Sequence, residues 1–426
     1  PFFTDPIEAV EFTYIRYVMI GFAAIMLSKY FIYMVLGPIQ DISRAVRHQL
    51  HFSNVQYEPL VSVIIPAWNE EVGLIPTIES LLKSSYRKLE LVVINDGSTD
   101  HSDAMMRQFV HAHQNSANND IAVRYRYQEN TGKGGALNHG ISIARGDLII
   151  SIDADCIVAP NAIAAAVDNF KDPEIAAAVG NVKIGNQNSS VGIVQYLEYL
   201  FSFYFKRTDA LLGAVYIIGG AAGVFRREVF EQLGGYNTTN ITEDIELSVR
   251  IQDAGLTIAY IPEMEVYTEG ANDLAGLKKQ RLRWKRGRVE TFIQYAHMFF
   301  STKRKHNKAL TWGIMPLAVL QEIQLLFEIP FIIILYAYSV MNTELTSLMM
   351  AIMVVGAMFV VQFVFYEPET RRWSFVLLAP IGWILFYIAT YVELTALLRT
   401  IHLYLTGQKL TWQRWDRKGI SQTSSV

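Results

Sequence analysis

Cysteine is almost missing: Cys156 is the single one among 426 residues. That excludes an internal disulfide and any cysteine-based zinc cluster. Positive charge is not in surplus either. Lys plus Arg number 37 against 40 Asp plus Glu, a net charge of −3, where a nucleic-acid binder would carry a clear basic excess. There is no internal repeat, no G-x-x-x-x-G-K-S/T loop, and no low-complexity stretch apart from a short polar tail after residue 418. Apolar character is what the chain has in quantity: 51% hydrophobic residues and a mean hydropathy of +0.20. That is high for a purely soluble enzyme, and the length has room for one large globular domain plus membrane segments. Because the first residue is Pro, a natural start or a leader is expected upstream.

The apolar residues are grouped. Residues 14–37 are long enough to cross a bilayer. Arg16 can snorkel from one end, while Lys29 needs an interior partner or a short reach to the interface. Residues 38–58 are polar and suit a surface linker or interfacial helix. After residue 308 the chain turns apolar again over 309–340, 346–366 and 374–403. Glu322 and Glu328 make the first half of 309–340 a better interfacial helix than a clean span. Arg44 and Arg47 follow the first span, and Lys303, Arg304 and Lys305 precede the later ones. Both ends of the intervening domain are therefore expected in the cytoplasm. The basic tail Arg414–Lys418 points the same way, which needs an even number of later spans although three are drawn most simply. One apolar stretch is then interfacial or re-entrant, or the tail lies outside.

Between about 60 and 260 the pattern changes. The runs at 61–66, 91–95 and 147–153 are short and continuously apolar, as strands buried on both faces of a parallel sheet are. Amphipathic segments at 71–84, 101–114 and 133–144 alternate with them. This predicts an α/β domain with a mostly parallel sheet, flanked by transmembrane and interfacial helices. The expected boundaries are 1–58 for a membrane helix and linker, 59–300 for the α/β domain, and 301–426 for the C-terminal helices and basic tail.

Ligands of such sheets bind beyond the carboxyl ends of the strands, and several chemically suggestive motifs fall there. Asp153 and Asp155, two apart after an apolar strand, can point the same way. One can bind Mg2+ or Mn2+ while the other holds a ribose or a metal-bound water; the plain alternative is a solvated loop. Asp96, in N-D-G-S, can accept from a uracil imide or a ribose hydroxyl, or simply belong to a turn. Lys133, among the glycines of 132–138, can contact phosphate beside exposed amides; the competing account is a flexible helix start. Thr242-Glu243-Asp244 opens an amphipathic helix, either as a cap or with Asp244 as a general base. In Gln280-Arg281-Leu282-Arg283-Trp284, Arg283 can grip a diphosphate bidentately and Trp284 offers a flat face to a sugar. The alternative there is a basic interfacial helix. Cys156 suits a small buried thiol.

Taken in order, P-A-W-N-E, N-D-G-S, G-K-G-G-A-L-N, D-A-D, G-G-A-A-G-V-F-R-R, T-E-D and Q-R-L-R-W closely resemble the processive membrane glycosyltransferases of family 2. These include synthases of cellulose, hyaluronan, chitin oligosaccharide and poly-N-acetylglucosamine. The resemblance runs from Val61 to Trp284 and implies a GT-A (Rossmann-like) catalytic domain, a UDP-sugar donor and a divalent metal, Mg2+ or Mn2+. It assigns Trp68, Glu70, Asp96, Lys133 and Arg283 to the donor, Asp153 to UDP and the metal, and Asp155 to the metal. Asp244 would be the base, with Glu243 beside it in the catalytic set. Gln280 and Trp284 would hold the acceptor terminus, and Gly219, Gly220 and Gly223 would shape its channel.

Its implied partners are a UDP-sugar, a growing polysaccharide and the lipid bilayer, with room for a small membrane partner subunit and none for nucleic acid. The implied location is the plasma (inner) membrane, multi-pass, with a cytoplasmic catalytic domain. N-acetylglucosamine is the expected sugar, because the motif wording lies nearest the poly-N-acetylglucosamine, chitin and hyaluronan branch. Asn95 stands where many relatives have Asp. No cyclic-nucleotide-binding domain is expected after the last apolar segment. Trp412 and Arg414 lie in a stretch similar to the gating segment of some relatives, which would bring them to the donor phosphates. The alternatives are a non-processive transferase adding one sugar to a lipid acceptor, and a membrane transport or scaffold subunit with a degenerate nucleotide domain.

Overall fold

The computed structural model describes residues 6–115, 120–187, 189–341, 349, 353, 356, 360, 379–408 and 417–420. Continuous apolar runs form the strands β1 (Val61–Ala67), β2 (Leu89–Asp96) and β4 (Leu148–Ser151). Val63, Ile65, Leu91, Val93 and Ile150 are all fully buried. Burial on both faces is what a sheet with helices on each side requires. Between these strands lie α2 (Leu74–Leu82), α3 (Ser102–Gln114), β3 (Ala122–Gln128) and α4 (Lys133–Ile143). The chain continues through β5 (Cys156–Val158), α5 (Ala162–Asn169), β6 (Ile175–Ile184), α6 (Ser190–Leu211) and β7 (Gly223–Arg226). It then forms α7 (Arg227–Leu233), α8 (Glu243–Asp253), β8 (Thr257–Thr268) and α9 (Leu274–Gln294).

The eight described strands make one sheet in the order β3-β2-β1-β4-β7-β6-β8-β5. Pairs β1–β2, β1–β4, β2–β3 and β6–β8 are parallel, while β4–β7, β6–β7 and β5–β8 are antiparallel. The sheet is therefore mixed but mostly parallel. In its parallel half Ile64 pairs with both Val92 and Ser151, and Ala67 pairs with Asn95. That register sets the carboxyl ends of β1, β2 and β4 side by side, which brings Trp68, Asp96 and Asp153 to one edge.

Three long helices flank this body. The first, α1 (Pro6–His51), is a single helix through Pro38, so residues 38–51 continue it instead of forming a linker. It lies along α6: Tyr204 donates to the Met34 carbonyl at 2.7 Å, and Arg207 pairs with Asp41 at 2.9 Å. Gly37 permits this approach, since a Cβ there would lie 3.2 Å from the Tyr204 ring. Arg44 and Arg47, the expected topology markers, form ion pairs with Glu263 and, at 2.9 Å, with Asp172. Further on, one wide turn (Ala309–Ile314) leads into α10 (Met315–Met341), and α11 spans Ala379–Leu405. Among the described residues one helix, Ala309–Ile334, is long and apolar enough to cross a membrane, with Glu322 and Glu328 inside it. Most of 346–366, and both Trp412 and Arg414, lie outside the described residues.

Candidate active site

The first strand-end loop is built on Asn69, whose φ of +55° is a left-handed conformation that Asn tolerates better than most residues. Its carboxamide oxygen accepts from the Thr99 amide at 2.7 Å, and its own amide donates to Ser98 at 2.9 Å. The P-A-W-N-E and N-D-G-S loops are thereby locked together. Asp96 is 3% exposed and accepts from Gln128 at 2.7 Å and from the Thr131 amide at 2.8 Å. This binds the end of β2 to the turn that carries Lys133. Sequence patterning alone singled out Asp96 but not Asn69, Gln128 or Thr131.

Asp155 lies below this ledge. Gly73 packs so closely that a Cβ would sit 2.7 Å from the Ala154 carbonyl. Thr77 donates to that same carbonyl at 2.9 Å and accepts from the Cys156 amide at 3.1 Å. The D-A-D turn is thus stapled to the first turn of α2. Burial pushes the Asp155 carboxyl up, opposed by the charge of Arg417. Arg417 forms a short ion pair with Asp155 and reaches Glu70 at 3.5 Å. The following residues are held by Glu269, which accepts from the Lys418 amide at 2.7 Å and the Gly419 amide at 3.1 Å. Ile420 fills the hollow over Gly185, where a Cβ would clash at 2.7 Å. Neither Arg417 nor Glu269 was foreseen; the basic run at 414–418 was the available signal, but its expected contacts were Trp412 and Arg414.

Among the described residues no group of three or more His, Cys, Asp or Glu side chains is arranged to hold a metal ion. A site on Asp153 and Asp155 would need its remaining ligands from phosphate oxygens and water, which is how Mg2+ is usually held. The carboxylate already draws a cation, the Arg417 guanidinium. Its hard oxygen chemistry fits Mg2+ or Mn2+.

Lys133, at the first turn of α4, joins the expected donor and catalytic groups. It pairs with Asp153 at 2.5 Å and with Glu243 at 3.6 Å. Burial disfavours its ammonium charge, but Asp153, Glu243 and Asp244 hold its pKa above the usual lysine range. Gly220 leaves the space this needs, for a Cβ there would lie 2.5 Å from the Lys133 Nζ. The Gly220 amide in turn donates to Asp244 at 3.0 Å. Burial pushes the Glu243 carboxyl up to about 7, while Lys133 draws it back and Asp244 adds to the rise. The loop carrying Gly219 and Gly220 is also tied down by Lys206, which donates to the Ile217 carbonyl at 2.8 Å. Burial pulls the Lys206 pKa down to about 8.

Helix α9 presents two stripes. Residues 280, 284, 287, 291 and 295 recur at helical spacing. Gly287 meets Thr242 so tightly that a Cβ would lie 2.0 Å from its hydroxyl oxygen. One turn on, Thr291 accepts from Asn240 at 3.1 Å, and just past the helix Tyr295 donates to Glu246 at 2.6 Å. This stripe holds Q-R-L-R-W against the T-E-D helix. Arg283 is near enough for its charge to draw on Glu243. Gln280 is 6% exposed, and its side-chain oxygen has no partner among the described residues. An unmatched buried acceptor of this kind suits a ligand hydroxyl. Trp284 meets Tyr199 of α6 at 6.4 Å between ring centroids. Asp155 in turn lies close enough to act on the Tyr199 hydroxyl, whose pKa burial raises. Tyr199 thus touches the tryptophan ring and also feels the charge of Asp155.

Asp96 thus closes β2, and Asp153 and Asp155 follow the carboxyl end of β4. Lys133 joins Asp153 to Glu243, and Gln280, Arg283 and Trp284 stand on the neighbouring α9, while Trp412 and Arg414 lie outside the described residues. Residues 62–234 match glycosyl transferase family 2. A poly-beta-1,6-N-acetyl-D-glucosamine synthase of Staphylococcus aureus (strain COL) is 33% identical over 279 residues, covering 64% of this chain and 66% of that protein. A synthase of the same name from Staphylococcus epidermidis is 30% identical over 246 residues, 57% of this chain and 58% of that one. The chain therefore spans at most about two thirds of the length of these curated relatives. A mannosyltransferase from Pyrobaculum calidifontis, solved with GDP-Man and Mn2+, superposes over 93% of this chain and 100% of its own, with a TM-score of 0.60 and 19% identity. That likeness is one of fold, the GT-A type of α/β sheet. On the matched domain and the identity to these synthases, the chain belongs to the family 2 glycosyltransferases.

Proposed function

We propose that this chain is an inverting, processive synthase. It extends a β-linked polysaccharide from UDP-N-acetylglucosamine and passes the product through its own membrane helices. The single observation that carries the reading is the meeting of Asp153, Lys133, Glu243 and Gly220–Asp244 in one ion-pair and hydrogen-bond chain, beside the helix bearing Arg283 and Trp284. The similarity to the staphylococcal synthases supports the choice of sugar.

Trp68, Glu70 and Asp96 take the nucleoside, and Lys133 and Arg283 take the diphosphate, where charge builds as the donor bond breaks. Asp153 and Asp155 would hold Mg2+ or Mn2+, which supplies charge neutralisation on the departing diphosphate. Arg417 must then leave Asp155. Asp244, held by the Gly220 amide, accepts the proton of the acceptor hydroxyl. The freed oxygen attacks the anomeric carbon from the face opposite UDP, so configuration inverts and no covalent enzyme intermediate forms. Gln280 and Trp284 hold the acceptor terminus, and Gly219 and Gly223 line its path. We place the catalytic domain on the cytoplasmic face of the plasma (inner) membrane, on the basic flanks at 44–47 and 303–305.

Incubating the purified chain with radiolabelled UDP-sugars, then digesting products with linkage-specific hydrolases, tests all of this. Long products from UDP-N-acetylglucosamine are expected. A single added residue would refute processivity, and a clear preference for another sugar would refute the donor.

A further inference from the structure

The second stripe of α9 lies about a quarter turn round the helix from the first. Arg281, Lys285 and Arg288 recur at i, i+4 and i+7, and three carboxylates from three other helices meet them. Arg281 donates to Glu198 of α6 at 2.8 Å and lies 3.6 Å from Glu393 of α11. Lys285 pairs with Glu393 at 2.6 Å and with Glu322 of α10 at 2.8 Å. Arg288 pairs with Glu322 as well. Three cations thus balance three carboxylates. The Lys285 side chain is only 4% exposed and that of Arg281 11%, so each charge depends on its partners.

Arg281 has a second contact. Its guanidinium carbon lies 4.5 Å from the centroid of the Trp284 ring. A planar guanidinium can lie against an aromatic face and still donate from its edges, which an ammonium cannot do. Glu198 and Glu393 hold those edges.

We propose that Arg281 is a positioning residue for the acceptor. It fixes the Trp284 indole in the orientation that receives the terminal sugar, and Glu393 of α11 fixes Arg281. An apolar helix is thereby wired, through one carboxylate and one guanidinium, to the surface on which the growing end rests. This inference rests on the assignment of Trp284 to the acceptor.

The test uses the full chain with UDP-N-acetylglucosamine and a short β-1,6-linked N-acetylglucosamine oligosaccharide. Acceptor KM, donor KM, product length and UDP affinity are measured for Arg281→Lys, Glu393→Gln, Trp284→Ala and the Arg281→Lys/Trp284→Ala double variant. Arg281→Lys keeps the positive charge among the carboxylates, so it preserves the fold. Its acceptor KM is expected to rise about tenfold, the scale of a desolvated cation–π contact, with shorter products and unchanged donor KM and UDP affinity. Glu393→Gln should move the same quantities in the same direction. In the Trp284→Ala background Arg281→Lys should cost nothing further. The inference is overturned if Arg281→Lys leaves acceptor KM and product length as in the wild type. It is overturned equally if donor and acceptor KM rise together, or if the loss adds in full to that of Trp284→Ala. A wild-type acceptor KM in Trp284→Ala alone would instead remove the acceptor assignment itself.

Discussion

Replacing Gly287 with Ala puts the contact between the Q-R-L-R-W and T-E-D helices under direct load. The added Cβ would lie 2.0 Å from the Thr242 hydroxyl oxygen, 2.4 Å from its methyl and 2.7 Å from its Cβ. Rotating Thr242 cannot relieve the last of these, because a Cβ moves only with its backbone. The two helices must separate, and overpacking of this kind costs about 1–3 kcal/mol. Better helix propensity of Ala over Gly offsets roughly 1 kcal/mol of that. Stability therefore falls modestly, while function falls far more. Arg283 and Trp284 lie one turn from Gly287, and a displacement of about 1 Å at a reacting centre costs on the order of a hundredfold. Transfer from UDP-N-acetylglucosamine should drop by about that factor, measured as labelled polymer. Adding Thr242→Gly removes all three clashing atoms at a cap cost of only a few tenths of a kcal/mol, and should recover most of the rate. Full activity in Gly287→Ala, or no recovery in the double variant, would refute the close-packing account.

Asp244→Asn should abolish transfer while leaving UDP binding measurable by calorimetry; retained polymer synthesis would remove Asp244 as the base. Arg417→Gln should raise the affinity for Mn2+ without nucleotide about tenfold, by freeing the charge of Asp155. Titration followed by electron paramagnetic resonance reads this directly, and an unchanged affinity would show that Arg417 and the ion do not compete. For Glu243 the folded pKa is raised from 4.5 to about 7. The folded chain therefore keeps a proton that the unfolded chain has lost, and its contribution fades as pH rises from 4.5 through 7. Glu243→Gln should accordingly gain stability over the wild type between pH 5 and pH 8, by at most about 2–3 kcal/mol. Denaturant unfolding at the two pH values checks the sign; a relative loss at pH 8 would show that the ion pair with Lys133 outweighs burial.

Much of the sheet was legible because its signal is local. An unbroken run such as V-S-V-I-I-P-A needs burial on both faces wherever it occurs. The carboxylates that follow such runs, Asp96 and Asp153, inherit their place from the strand before them. The antiparallel pairing of β7 with β4 and β6 was not legible, since G-V-F-R is too short to declare a partner. Arg417 escaped for a different reason. Its contacts lie 262 positions away at Asp155 and 347 at Glu70 (417 − 155 and 417 − 70), and no periodicity spans such a gap. Residues 38–58 left a linker and an interfacial helix open; 38–51 are helical, and Arg44 and Asp41 there serve ion pairs with the catalytic body, which polarity alone does not reveal. Asn69 gave only a weak hint, as one of the few side chains at ease with positive φ.

The bond from Thr77 to the Ala154 carbonyl has a thermodynamic corollary. One short helix turn adjoins the Asn69 loop and is bonded to the turn of Asp153 and Asp155; if the first takes the nucleobase and the second the pyrophosphate, as proposed, neither can be loaded without the other feeling it. Base preference and ion affinity then become reciprocal quantities. A donor that strains the ledge weakens the ion by the same factor that the ion weakens the donor. Changing only the base of the nucleotide should alter the half-saturating concentration of cation, although base and cation never touch.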